Sequence, residues 1–264
     1  MPGREPMNPR GRQFALGGTA SSWVRLTTPT AAQKRILRRC YAGLEPRALS
    51  RYGVRQWAAP WPPTRLIVKD PFAVLSIESV CRVTDAVPVL VYRHPGAVLA
   101  SYRRMGWAAD SAEVEALGAP TPRRPDDTAA MAAFWTFCYR TALADMDRLG
   151  RGVVVSHERL AVGSDGPLHA LMSELGLALP RSATQGRAGT ARAGDTQPHA
   201  SSGRSLHDFD RDPDELHTGW RSSIDKDELE WLETQTRATR ADLDTWSRRS
   251  IAGYPENSVT KERS

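Results

Sequence analysis

Cysteine is scarce: only Cys40, Cys81 and Cys138 occur in 264 residues. They are far apart, odd in number and form no CxxC, which argues against a disulfide framework and against a zinc site. No metal is expected. Long apolar runs are also absent. Nothing approaches the roughly 18–20 consecutive apolar residues that a membrane-spanning helix requires, so no membrane span is expected. The amino-terminal stretch MPGREPMNPRGRQF is basic, but no apolar segment follows it, so it is not expected to be a secretory signal. These absences suit a reducing cytoplasm. There are no internal repeats. No GxxxxGK[ST] string exists for a P-loop kinase, and no zinc-finger, RNA-recognition or helix-turn-helix signature is found. A nucleic-acid role therefore rests on charge alone, and none is expected.

Positive charge is what the chain does carry. Its formal net charge is +6, a balance that favours anionic partners such as a nucleotide, a nucleic acid or an acidic surface. An Arg- and Ala-rich composition is equally the mark of a high-GC genome. The length admits one large α/β domain or two small ones and suffices for a full core. The 40% hydrophobic content is slightly low, which predicts an ordered core with polar, loose segments.

Along the chain, residues 1–30 are rich in Gly, Pro, Ser and Thr and read as a loosely ordered lead-in. Thr30 caps a predicted helix in which Ile36, Leu37, Cys40 and Tyr41 recur at helical spacing. A short helix is expected over 46–57. Leu66, Ile67 and Val68 form an apolar run bounded by prolines, a buried-strand pattern. Residues 72–84 read as a helix burying Val74, Leu75, Ile77, Val80 and Cys81. Val87 to Val91 form a second apolar run and hence a strand, followed by a helix with Pro95 in its first turn. Residues 109–127 are a charged insert. A long helix follows from Thr128 to Leu149, then a strand in RGVVVSHE and a helix from Pro167 to about Gly176. Residues 182–205 look mobile, and a last helix runs from about Lys226 to Trp246. Residues 251–264 form a tail. Strands that alternate with helices and are apolar throughout predict a parallel sheet covered on both faces.

The chemistry concentrates in Val89–Trp107, VLVYRHPGAVLASYRRMGW. Arg93 stands at the carboxyl end of a predicted strand, where open α/β sheets place ligands. The helix from Pro95 is expected to turn free N–H groups toward the same crevice, favouring an anion. Ser101 adds a hydroxyl eight residues after Arg93. One guanidinium, one hydroxyl and a helix terminus suit a phosphate. The same pattern also describes a surface arginine beside a capped helix.

The string RHPGAVLASY resembles the motif with which sulfotransferases bind the 3′-phosphate of PAPS (3′-phosphoadenylyl sulfate). Around it, LIVKDP resembles that family's Lys-bearing strand before the acceptor region. VVVSHERL resembles its strand followed by Tyr-Glu-Asp-Leu, with His157 in place of Tyr and Arg159 in place of Asp. GPLHALMSELGLAL and RDPDELHTGWRSSIDKDELEWLE resemble the helix and the Trp-Arg segment further on. The likeness covers roughly residues 64–250 and is nearest to bacterial members with Lys-Asp-Pro. It implies a three-layer, P-loop-NTPase-like parallel sheet flanked by helices over residues 31–250, and transfer of a sulfuryl group from PAPS without a metal. By the same resemblance Arg93 and Ser101 hold the 3′-phosphate, His157 faces the adenine, and Glu158 orients backbone.

The family opens with a strand and a Pro-Arg/Lys-Ser-Gly-Thr-Thr loop that cradles the 5′-phosphosulfate. The nearest counterpart here, LGGTASSW at 16–23, has glycines and hydroxyls but no basic residue between them. The sheet is therefore expected to lack its first strand. A gene start placed too late is the favoured account, ahead of a degenerate relative or a partner that supplies the element. Lys69 is expected to stabilise charge on the sulfate or bridging oxygen. Asp70 either acts as base toward the acceptor or shapes the turn before Pro71. In the stretch 182–205, Arg187, Arg192, His199 and Arg204 either close over the nucleotide or line a solvated loop. Trp220, Trp135 and Tyr139 are expected to pack, and His94 to be a turn residue. The acceptor is a small molecule or glycan bearing a hydroxyl or amine, and a homodimer is compatible. The alternative is an inactive relic that binds PAP (the desulfated donor) or a protein.

Overall fold

The structure, a computed structural model, describes residues 25–42, 67–107, 115–122, 126–161, 166–178 and 218–251, with Trp23, Leu44, Ala109 and Arg124 besides. The helix expected over 46–57, the glycine-rich 16–22 and the stretch 182–205 with Arg204 lie outside the described residues.

Helices begin where a side chain supplies the acceptor that the first turn lacks. Helix α1, Ala31–Tyr41, opens on a full capping box in which Thr30 and Gln33 satisfy each other's backbone. A 3-10 turn, Pro71–Leu75, follows Asp70, whose carboxylate accepts from Phe72 N–H at 3.1 Å. Ser76 then breaks the path, and α2 runs over Ile77–Thr84. What the sequence presents as one helix is thus two pieces. The expected inner face is nevertheless there, with Leu75, Ile77, Val80 and Cys81 buried.

Strand β1 is Val89–Tyr92 and helix α3 is Pro95–Met105. Helix α4, Asp127–Leu149, is capped by Asp126 and stopped by Gly150, whose φ of 64° closes the left-handed turn. Strand β2 is Val153–Ser156, α5 is His157–Ala161 and α6 is Gly166–Glu174. A second 3-10 turn, Gly219–Ser223, precedes α7, Lys226–Ser250, whose first N–H groups bond Asp225. The described part is mostly helical, with β1 and β2 paired as a small parallel sheet, an α/β arrangement.

The chain divides into two compact units. The first comprises Met1–Leu90 and Gly106–Gly152. In it α1, α2 and α4 pack together, with Leu26, Leu37 and Val80 at one core. Trp23 meets Phe72 and Phe134 ring to edge. The second unit comprises Val91–Met105 and Val153–Ser264. There α7 lies along β2 and α3, and Val153, Val155, Leu171 and Ile251 form the core.

Two expectations need correction. Residues 67–70 form no strand, and Ile67 is 80% exposed, so the run before Lys69 is not a buried strand. Nor is the sheet covered on both faces among the described residues. Strand β2 is buried throughout, but β1 alternates, burying Leu90 and Tyr92 and exposing Val89 and Val91. That is the pattern of a strand packed on one face only.

Candidate functional site

In the second unit, Arg93 directly follows β1, and His94 and Pro95 open α3. The turn is held from the end of the other strand. Glu158, two residues beyond β2, accepts the His94 N–H through Oε1 at 2.7 Å. Its Oε2 accepts from the Ser156 hydroxyl at 2.8 Å. The carboxyl ends of two strands are thereby latched by one carboxylate, as expected of Glu158. A hydrogen bond to a charged group contributes about 1.5–3 kcal/mol, enough to fix the backbone at Arg93.

His94 is more than a turn residue. Its Nδ1 accepts the Gly96 N–H at 3.1 Å, which puts the proton of the neutral ring on Nε2. Nε2 lies 3.1 Å from Glu233 Oε1, off the direction of a good hydrogen bond. Burial, and then Arg240 and Arg221, hold the imidazole at about 3 against an ordinary value of 6.5. Desolvation is the largest influence. The ring stacks on Trp220 at 4.7 Å, and the Arg221 guanidinium covers the indole at 4.8 Å.

This arrangement changes the picture of the helix terminus. Pro95 has no N–H, Gly96 donates to His94, and Val98 N–H closes on His94 O at 3.1 Å. The first turn of α3 is satisfied largely from within, contrary to the expectation of free donors. Any anion here is left to side chains, Arg93 first.

Arg93 is half-buried, as is Ser101 two turns along α3. Ser101 lies on the stripe of Ala97 and Val98, one turn further. His157, half-buried, is the first residue of α5. Arg93, Ser101 and His157 thus belong to one unit, Arg93 and His157 each directly after one of the two strands. Lys69 and Asp70 belong to the other unit. Lys69 is exposed, and the Asp70 carboxylate caps the 3-10 turn. Arg204 lies outside the described residues.

In this second unit the frame is rigid. The Tyr92 hydroxyl donates to Asp244 of α7, and burial, then Asp244, raise the phenol well above its usual range. Arg103 of α3 makes a two-point contact with Glu228 of α7, at 2.9 and 2.5 Å. On α4, in the first unit, Trp135 is buried against Tyr139, as expected. Sequence reasoning did not reach Glu233, Asp244 or the His94–Trp220 stack. The one available signal was His before Pro at a helix start, where a ring nitrogen can replace a missing capping side chain.

Among the described residues no group of three or more His, Cys, Asp or Glu is placed to hold a metal ion, and no described helix is long and apolar enough to cross a membrane. No family profile, no curated protein and no solved structure matches the chain.

Proposed function

We propose that the chain is a PAPS-dependent sulfotransferase-like protein of P-loop-NTPase-like fold, with the end of β1 and the start of α3 as its nucleotide site. The observation that supports this reading is Arg93, half-buried at the carboxyl end of a parallel strand, on a turn clamped by Glu158 from the neighbouring strand's end. That is where open α/β sheets take ligands. It also gives the RHPGAVLASY resemblance a physical setting.

In this reading Arg93 and Ser101 grip the 3′-phosphate and His157 lies by the adenine. Arg204 is a further contact. An acceptor hydroxyl or amine attacks the sulfur of PAPS in line with the bond to the 5′-phosphate. The new O–S or N–S bond forms as the bridging S–O bond breaks, the acceptor proton passes to a base, and PAP leaves. The resemblance assigns Lys69 to the charge on the bridging oxygen and Asp70 to the base; both belong to the first unit, so the nucleotide site proposed here rests on residues of the second unit alone. One observation favours the second reading, a protein that binds PAP without turnover. Asp70 Oδ1 accepts the Phe72 N–H at 3.1 Å, the use expected of a residue that shapes the turn before Pro71 rather than of a base.

The test compares PAP with adenosine 5′-phosphate, which lacks the 3′-phosphate, by titration calorimetry. The proposal expects PAP to bind at least about tenfold more tightly, the value of one or more charge-assisted bonds. Equal affinity would remove the 3′-phosphate site. Sulfate release or transfer from PAPS, measured alongside, separates the enzyme from the relic.

A further inference from the structure

The first unit holds an open cleft of about 460 Å³, walled by α1, α2, the end of α4 and the segment at 25–29. Its charged lining is uneven: Arg25, Lys34, Arg38, Arg82 and Arg148 face only Glu78 and Asp145. Both carboxylates are already committed. Asp145, buried, accepts from Arg25 at 3.0 Å, from Arg148, and from the Glu78 N–H at 3.2 Å. The Glu78 carboxylate binds Arg148 at 2.5 Å and Arg82 at 3.0 Å, and Arg148 above all holds its pKa below the usual range.

Among the described residues, two of these cations have no carboxylate partner. Lys34 and Arg38 stand one turn apart on α1, and neither pairs with an acid among the described residues. Arg38 donates only through Nε, to Val83 O at 3.3 Å. Like charges at this spacing repel, and a polyanion between them reverses the sign. The floor is organised: Ser79 donates to Thr27 O at 2.8 Å, Leu26 N–H to Ser76 at 2.9 Å, and Arg25 to Leu75 O at 2.8 Å. Leu26, Pro29 and Val83 add apolar surface. The volume falls in the range of small-molecule sites.

We infer that this cleft binds a small polyanion of the phosphate- or sulfate-ester class, gripped by Lys34 and Arg38 with Arg82 beside them. It shares no residue with the proposed nucleotide site: every residue named here belongs to the first unit, and Arg93, Ser101 and His157 to the second.

Inorganic pyrophosphate is the probe, titrated calorimetrically at low salt into the full chain carrying Arg93→Ala and Ser101→Ala, which silences the other site. Saturable one-to-one binding is expected, at least about tenfold weaker once Lys34→Ser and Arg38→Ser are added. Lys34→Ser alone, which removes no internal hydrogen bond, should give an intermediate loss while circular dichroism stays unchanged. Equal affinity with and without the α1 substitutions overturns the inference, as does the absence of saturable binding. Binding of a DNA oligonucleotide but not of pyrophosphate overturns it too, in favour of a nucleic-acid surface.

Discussion

His94 shows how much one side chain can settle. Its backbone N–H goes to Glu158, its Nδ1 takes the Gly96 N–H, and its face lies on Trp220. The second of these uses requires an unprotonated Nδ1, and burial of the ring disfavours its charged form. With the folded value near 3 and the ordinary one at 6.5, the unfolded chain binds the proton first on acidification. The contribution of His94 is therefore complete above about pH 6.5 and is lost as pH falls toward 3, by up to about 1.4 kcal/mol per unit. Urea unfolding followed from pH 7.5 to 4.5 should show the wild type losing more stability than His94→Asn, which cannot titrate. Parallel curves would mean that the ring is not held neutral. None of this was legible beforehand. The partners at Glu158, Trp220 and Glu233 lie 64, 126 and 139 positions away, and no local spacing announces them. The backbone-orienting role of Glu158 was expected only through the resemblance of VVVSHERL, not from its spacing.

Among elements, the meeting of α3 with the 3-10 turn Gly219–Ser223 depends on a missing side chain. A Cβ on Gly96 would lie 2.4 Å from Trp220 Cζ3 and 3.0 Å from Leu229 Cδ1. Alanine within a helix gains up to about 1 kcal/mol over glycine. A rigid indole at that distance has to move as a whole, and overpacking costs about 1–3 kcal/mol. Gly96→Ala should therefore destabilise, and Trp220→Leu should relieve most of the added cost in a double-mutant cycle. Additive effects would show that the two residues do not touch. At this scale the sequence was informative where the signals are local. Proline at the first turn of α3, the run Val87–Val91, the run Val153–Val155 and the cap at Thr30 each mark an element that forms. It misled at Leu66–Val68, because a short apolar run between prolines fits a strand and a surface segment equally. It also hid the break at Ser76, whose hydroxyl is taken by the Leu26 N–H, 50 positions back.

For the whole molecule, the net charge of +6 resolves into two different settings. In the second unit Arg93 stands over a latched strand pair. In the first, cations outnumber acids around a cleft that no motif marked, since its ion pairs join α2 to α4 across some 70 positions. The free cysteines add no covalent tie. Cys81 and Cys138 are buried with their thiols pushed up to about 11 and about 12 by desolvation, so they are poor nucleophiles at neutral pH. What the molecule offers to a ligand is therefore positive charge at fixed places. The central claim concerns the place at residue 93, and calorimetric titration of PAP into the wild-type chain and Arg93→Ala tests it most directly. The account predicts an affinity at least about tenfold weaker in the variant, with an unchanged circular dichroism spectrum. Equal affinities in the two proteins would contradict it.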